Sequence, residues 1–229
     1  MIERHFDKEL TVLNTDLLKM AALAEEAIFK STEALKNGDK EEAVSVIEAD
    51  ARIDKLENII EENAIELFAL RQPMAADLRF ITTGMKINAE LERIADLAVN
   101  ISQRVLELAD KPLLKPLIDI PKLSEVARKM VKGSIDAFVD RDEKKAKEVI
   151  LSDPEANKLK NAIQDELIND YLVKDGTTAT RAIPLLLVSR HLERICNHAT
   201  NISEDVIYMV RAKVVKHKKL ENRGNKGSN

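Results

Sequence analysis

The two halves of this chain repeat each other, and this repeat constrains the fold more than any other feature of the sequence. The segment AVSVIEADARIDKLENII (residues 43–60) matches AKEVILSDPEANKLKNAI (146–163) at an offset of 103. Further along, LERIADLAVNIS (91–102) matches LERICNHATNIS (192–203) at an offset of 101. Because two registers agree in the same order, the pattern indicates that one structural unit has been duplicated. The smaller second offset predicts a shorter hairpin turn in the second half.

The apolar residues have the spacing of long amphipathic helices. Near the start of the chain, one stripe follows steps of three, four or seven residues: Phe6, Leu10, Leu13, Leu17, Met20, Ala24, Ile28 and Leu35. Aromatic residues make up only 3% of the chain and charged residues 33%, a composition that favours helices over sheets. We therefore predict an all-α fold of six long helices, forming two tandem three-helix bundles related by pseudo-twofold symmetry.

Glycine and proline set the predicted boundaries. We expect turns at residues 37–39, 71–73 and 175–176, with Pro73 in the first turn of the third helix. The later helices should cover residues 40–69, 73–109, 123–140, 143–173 and 178–215. Three of the six prolines fall between residues 110 and 122, which predicts a linker. Pro154 and Pro184 lie inside helical patterns, where each should kink or interrupt its helix.

The predicted organisation has four parts. These are a first bundle over residues 1–110, a linker over 111–122, a second bundle over 123–215, and a basic, disordered tail over 216–229.

The distribution of charge narrows the possible functions. The net charge is −4, yet the residues from position 211 onward include seven basic side chains and one acid. The rest of the chain is therefore strongly acidic, which with so few aromatics argues against nucleic-acid binding. The basic tail allows at most a peripheral attraction to anionic lipid. No secretory signal or membrane span is visible and the one cysteine, Cys196, cannot form an intrachain disulfide, so we expect a cytoplasmic protein.

The most informative polar pattern is a pair of acids four residues apart on each of two neighbouring helices. Asp50 and Asp54 share one face of the second helix, and Glu92 and Asp96 share one face of the third. Counting from the turn at Gln72, the two pairs lie at nearly the same height on antiparallel helices. Facing carboxylates repel each other unless a cation lies between them. The four acids are therefore candidate ligands for hard divalent cations, or for iron held between several carboxylates.

The second half carries a weaker version of this pattern. Asp153 and Glu193 keep their charge, whereas the other two positions hold Asn157 and Asn197, which retain only an oxygen acceptor. We therefore predict that the first half binds metal more tightly than the second. His198 points about 100° around the helix from Asn197, so we expect it to be an ordinary polar residue.

Two other interpretations remain open. Highly charged helices often carry acids four residues apart by chance, and Arg93 and Arg194 lie close enough to neutralise them; the chain would then be a scaffold without metal. Alternatively, it is a metal-storage or metal-dependent carboxylate-bundle protein, although the Glu-x-x-His pairs typical of di-iron bundles are absent. No phosphate-binding glycine loop and no nucleophile with its base is visible, and Cys196 is expected to be an inert thiol. We therefore expect no enzymatic activity of its own.

One long segment carries a family resemblance. RQPMAADLRFITTGMKINAELERIADLAVNI (residues 71–101) resembles the hallmark of the PhoU family, and LERICNHATNI in the second half resembles that family's second acidic motif. The likeness extends over nearly the whole chain except the basic tail. It implies paired three-helix bundles, homodimers, and multinuclear metal clusters, iron among them, on the bundle surface. The metal ligands it implies are Asp50, Asp54, Glu92 and Asp96 in one site and Asp153, Glu193 and Asn197 in the other.

The same resemblance implies a function. PhoU proteins are negative regulators of phosphate uptake and of the phosphate-starvation response. They link the phosphate ABC transporter to a sensor histidine kinase. Asn157 and Asn197 depart from the family's acidic pattern, which weakens the expectation of metal in the second site.

Overall fold

A computed structural model describes residues 5–213 of the chain, and these residues form helices joined by turns and by one longer linker between residues 108 and 119. The helices are α1 (His5–Asn37), α2 (Lys40–Arg71), α3 (Ala75–Leu108), α4 (Asp119–Val139), α5 (Glu143–Glu166) and α6 (Ala179–Arg211). A π-helical turn (Leu167–Leu172) follows α5, and a 3₁₀ turn (Gly176–Thr178) precedes α6. The tail predicted over residues 216–229 lies outside the described residues.

The six helices form two three-helix bundles that pack side by side. α1, α2 and α3 contact one another, as do α4, α5 and α6. Between the bundles, α3 packs along α6 and α1 along α4, so each contact joins two equivalent helices. A twofold relation requires this kind of pairing. No strand occurs within residues 5–213, and the predicted all-α fold of two pseudosymmetric bundles is confirmed.

One continuous hydrophobic core runs through both bundles. It contains the predicted α1 stripe, in which Leu13, Met20 and Ile28 are completely buried. Phe80 on α3 stacks on Phe138 of α4, with ring centroids 5.1 Å apart and ring planes 14° from parallel. The halves are thus joined by core packing as well as by the linker.

Several helix ends differ from those predicted. α4 begins at Asp119, before the predicted position 123, because Pro121 fits the first turn of a helix, where its missing N–H is not needed. Pro73 precedes α3, which begins at Ala75 after the N-cap residue Met74. The helical segment after Glu143 extends to residue 172, but its last six residues are π-helical. α6 ends at Arg211 and not at residue 215, because the next residue adopts a left-handed conformation with φ 53°.

The two internal prolines do not interrupt their helices. Pro154 lies within α5 and Pro184 within α6, and both helices continue past them. Pro184 cannot donate a hydrogen bond to the carbonyl of Thr180, four residues earlier. The Nζ of Lys111 donates to that carbonyl instead, at 3.0 Å. The sequence predicted a kink or an interruption at each proline, and neither helix is interrupted; at Pro184 the linker supplies a substitute donor.

The turn between α4 and α5 depends on a side-chain cap, which can be tested. The Oδ1 of Asp142 accepts hydrogen bonds from the backbone N–H groups of Lys144 (2.7 Å) and Lys145 (3.3 Å). We expect Asp142→Ala to lower the free energy of unfolding by about 1 kcal/mol, whereas Asp142→Asn should cost only a few tenths. Urea unfolding followed by circular dichroism measures both. Equal losses in the two variants would contradict the capping role, because asparagine keeps the oxygen acceptor.

Candidate functional site

The α2–α3 hairpin presents a group of acidic side chains that we call the first acidic face: Asp50, Asp54, Glu57, Glu92 and Asp96. Four of these were predicted from the sequence. Asp50 and Glu92 are half-buried against the neighbouring helix, whereas Asp54 and Asp96 are exposed to solvent. The face is therefore open to solvent along one edge and shielded along the other.

The carboxylates of the first acidic face influence one another across the two helices. Burial raises the pKa of Asp50 to about 6, and the nearby charges of Asp54 and Asp96 contribute to the same shift. Asp54 lies on α2 with Asp50, but Asp96 lies on α3. The two predicted pairs therefore share one surface, and each deprotonation there makes the next one more costly.

Sequence reasoning missed Glu57. Burial raises the pKa of Glu57 most strongly, and the nearby carboxylates of Glu61, Asp54 and Asp96 raise it further. The available signal was its position three residues after Asp54, which places both on one helix face. The height of this part of α2 is fixed by a buried amide on α3, because the Nδ2 of Asn88 donates to the backbone carbonyl of Glu57 at 3.0 Å.

The first acidic face has no ion-pair partner within residues 5–213. Burial raises the pKa of Glu92, as do Asp96 and Glu57, while the positive charge of Arg93 opposes the shift. The Nη1 of Arg93 lies 3.7 Å from Glu90 Oε1, so its nearest ion-pair partner is outside the face. Among the described residues, no lysine, arginine or histidine forms an ion pair with any member of the face. Arg93 therefore does not neutralise the first acidic face through a direct ion pair.

The second half forms the corresponding second acidic face: Asp153, Asn157, Glu193 and Asn197. Here the two amides bond to the two acids. The Nδ2 of Asn157 donates to Asp153 Oδ2 at 2.8 Å, and the Nδ2 of Asn197 donates to Glu193 Oε1 at 3.0 Å. Burial and the Glu193 carboxylate raise the pKa of Asp153, and the Asn157 hydrogen bond partly offsets them. The asparagines therefore remove two charges and also occupy one oxygen of each remaining carboxylate.

Two further polar residues near the second acidic face have other roles. Cys196 is completely buried, and burial together with Asp153 and Glu193 raises the pKa of its thiol. This environment disfavours the thiolate and agrees with the expectation of an inert cysteine. His198 faces α3, where its Nδ1 lies 2.5 Å from Glu90 Oε2. It therefore joins the two bundles and does not belong to the second acidic face.

The donor atoms of the first acidic face fit a hard cation in type and charge. They are carboxylate oxygens on adjacent helices, and they have no basic partner among the described residues. Such donors suit Mg²⁺, Mn²⁺ or iron better than soft metals. Within residues 5–213, however, no three His, Cys, Asp or Glu side chains are arranged to hold one ion. Binding would thus require side-chain rotation at the exposed edge, where Asp54 and Asp96 have room to move.

The duplicated unit matches a known protein family. The model of the PhoU domain matches the chain twice, over residues 17–105 and 120–206. The chain belongs to the PhoU family. Residues 106–119 separate the two matches and include most of the predicted linker, and each match includes one acidic face.

The chain is similar to proteins named as PhoU homologs, and the similarity extends over most of their length. The chain is 41% identical over 217 residues to the phosphate-specific transport system accessory protein PhoU homolog of Aquifex aeolicus, covering 95% of this chain and 98% of that protein. It is 37% identical to the protein of the same name from Zymomonas mobilis, covering 91% and 87% of the two chains. Neither this name nor the family description is that of an enzyme.

Solved PhoU structures have the same fold. The crystal structure of PhoU from Pseudomonas aeruginosa superposes with a TM-score of 0.87 at 32% identity, covering 91% of this chain and 100% of that one. The PhoU structure from Streptococcus pneumoniae gives a TM-score of 0.85 at 28% identity, covering 92% and 99% of the two chains. Among the residues described here, no helix is long and apolar enough to cross a membrane.

Proposed function

We propose that this PhoU-family chain is a negative regulator of phosphate uptake and of phosphate-starvation signalling. The observation that carries this proposal is the family match on both halves, together with full-length relatives named as accessory proteins of a phosphate-specific transport system. A regulator of this kind acts through protein contacts.

The partners proposed for the regulator are the phosphate ABC transporter and a sensor histidine kinase, with the chain acting as a metal-binding adaptor between them. The arrangement of helices supports an adaptor. Among the elements that the structure describes, α2 and α5 contact only those of their own bundle, which leaves their outer surfaces for other proteins. Each acidic face includes residues of one of these outer helices, Asp50 and Asp54 on α2 and Asp153 and Asn157 on α5, so bound metal would alter the charge presented to a partner. We propose that the adaptor is a homodimer.

Deletion of the gene tests the regulatory proposal. Under phosphate-replete conditions, the deletion strain should take up more phosphate and express starvation genes, because the negative regulator is lost. Complementation with the wild-type gene should restore both readouts. Unchanged uptake and unchanged starvation-gene expression in the deletion strain would rule the proposal out.

Co-purification tests the partners separately. The full-length protein, captured from native membranes after mild solubilisation, should retain transporter subunits and a histidine kinase. Sedimentation equilibrium of the purified protein should give twice the 25.7 kDa mass of one chain. Recovery of neither membrane partner would contradict the adaptor, and a monomeric mass would contradict the homodimer.

The inequality of the two acidic faces predicts opposite effects of two matched changes. Asp96→Asn removes a charge from the first face and should lower metal content, whereas Asn197→Asp restores a charge to the second face and should raise it. Asn157→Asp should add to the second effect, because it also frees the oxygen of Asp153 that the amide now occupies. Elemental analysis after gentle purification measures the metal per chain. Equal content in wild type, Asp96→Asn and Asn197→Asp would contradict metal binding by these faces.

A further inference from the structure

A cavity of about 260 Å³ lies where the two bundles meet, away from both acidic faces. Four segments line it: the end of α1 with its turn into α2, the end of α3, the linker, and the first turns of α6. The cavity is therefore built from both halves of the chain. Neither the repeat nor the family motif pointed to it.

Most of the lining is apolar. Leu35, Val105 and Leu185 are buried core residues, and they form the inner wall. The outer wall comes from the linker and includes Leu113, whose side chain is 68% exposed. An exposed leucine facing an apolar wall gives a small ligand apolar contacts on two sides.

The charged residues around the cavity all have the same sign. Lys36, Lys111 and Arg181 belong to the lining, and no aspartate or glutamate within residues 5–213 does. For a protein with a net charge of −4, a cavity wall with three cations and no carboxylate is a marked departure from the average surface.

Arg181 is the cation best placed to bind a ligand. Lys111 donates to the carbonyl of Thr180, and Lys36 Nζ is 3.4 Å from Glu33 Oε1. The half-buried guanidinium of Arg181 makes no hydrogen bond or ion pair within residues 5–213, although its charge helps to lower the pKa of Asp175. An arginine held at a cavity without a bonded partner offers a planar fork of donors to a carboxylate or phosphate.

The ends of α1 and α3 also reach the cavity, and their last carbonyl groups carry partial negative charge. Backbone N–H groups in the turns that follow these helices donate hydrogen bonds to some of these carbonyl groups. The N–H of Asp39 bonds to the carbonyl of Ala34, and the N–H of Lys111 bonds to the carbonyl of Leu108, both at 2.9 Å. Each of the three lining cations carries a full positive charge, which is larger than the partial charge at a helix end.

We propose that this cavity binds a small amphipathic organic anion, with an apolar chain or ring against the leucine walls and one carboxylate or phosphate group on Arg181. The volume is near the lower end of the range for small-molecule sites, about 300–1,000 Å³, so the ligand is small. Because the occupant contacts segments of both bundles, its binding stabilises their packing. The proposal does not depend on metal at the acidic faces.

Isothermal titration calorimetry with four probes of equal chain length tests the class of ligand. Octanoate or octyl phosphate should bind at one site per chain, and comparing them identifies the preferred headgroup. Octanol should bind at least about tenfold more weakly, because it lacks the charge, and octyltrimethylammonium should not bind. Failure of both anions to bind, or binding of octanol as tight as that of the better anion, would overturn the proposal.

Variants locate the site. Arg181→Gln should weaken binding of the better anion at least about tenfold, whereas Arg190→Gln, an exposed arginine on the same helix, should leave it unchanged. Ala109→Phe should fill the cavity and abolish binding. If that variant loses helical signal, Leu113→Ser in the exposed linker provides the second readout and should weaken binding. Equal affinities of Arg181→Gln and Arg190→Gln, or full affinity in Leu113→Ser, would show that the anion binds elsewhere.

Discussion

Asp50→Asn should stabilise the metal-free protein at neutral pH and at the same time reduce the stabilisation that metal provides. The pKa of Asp50 is raised from 3.8 to about 6 in the folded protein, chiefly by burial. The folded state therefore binds this proton more tightly than the unfolded state. The resulting stability is fully present below about pH 4, and it is lost as the pH rises through 6. Asparagine at position 50 cannot ionise, so the variant does not lose this stability as the pH rises.

The expected gain for Asp50→Asn at pH 7.5 is about 1 kcal/mol. A fully buried group with this shift would give roughly 3 kcal/mol, but Asp50 is only partly buried and solvent screens its charge. Below pH 4 the two proteins should have nearly equal stability. Urea unfolding in the presence of a chelator, at several pH values, measures the difference.

Metal should reverse the order of the two proteins at pH 7.5. A cation that binds only the folded state at 100 times its dissociation constant adds about 2.7 kcal/mol to the free energy of unfolding. Wild type should gain this stabilisation with Mn²⁺ or Fe²⁺, and Asp50→Asn should gain much less. Glu48→Gln is the matched control, because Glu48 is an exposed acid on the same helix. An equal metal response in wild type and Asp50→Asn would exclude Asp50 as a ligand.

A stabilising substitution at a charged position is informative about function. Repelling carboxylates held together without a basic partner reduce the stability of the fold, and proteins keep such arrangements where binding requires them. The second acidic face provides the comparison within the same molecule. There Asn157 and Asn197 bond to Asp153 and Glu193, which relieves the repulsion and leaves fewer oxygens for a cation.

The sequence predicted the helices well because their signals are local and repeated. A buried apolar stripe such as Leu13 to Ile28 has the helical period, and the duplication allowed each half to confirm the other. The predicted ends were less accurate. Pro121 is compatible with either a linker or a first helical turn, and the start of α4 at Asp119 depends on packing that the local sequence does not contain.

The acidic faces were predictable only in part. Counting residues from the turn placed Asp50 and Asp96 at matching heights, because the helical rise per residue is constant. Side-chain partners follow from tertiary packing, so the bond between His198 and Glu90 could not be read from spacing. The cavity beside Arg181 was also unpredictable, since it forms only where four separate segments meet.

Phe138→Ala should be the most destabilising of the substitutions considered, with a loss of about 3–5 kcal/mol in the free energy of unfolding. Phe138 is 1% exposed and stacks on Phe80, which belongs to the other bundle. Its removal leaves a cavity in the part of the core that joins α3 to α4. Because a domain of ordinary stability has only about 5–15 kcal/mol to lose, the variant should be close to unfolding at moderate temperature.

The same substitution tests whether the two bundles unfold as one unit. Their cores are continuous, so loss of packing at Phe138 should weaken both halves together, and urea unfolding should remain a single transition. Phe29→Ala is the matched control, because Phe29 on α1 is 46% exposed and the guanidinium of Arg128 lies over its ring, 4.7 Å from the centroid. That contact is worth about 1 kcal/mol. Two separate transitions in Phe138→Ala, reported by fluorescent labels on α2 and α5, would show that each bundle is stable without the other and that the shared core contributes little.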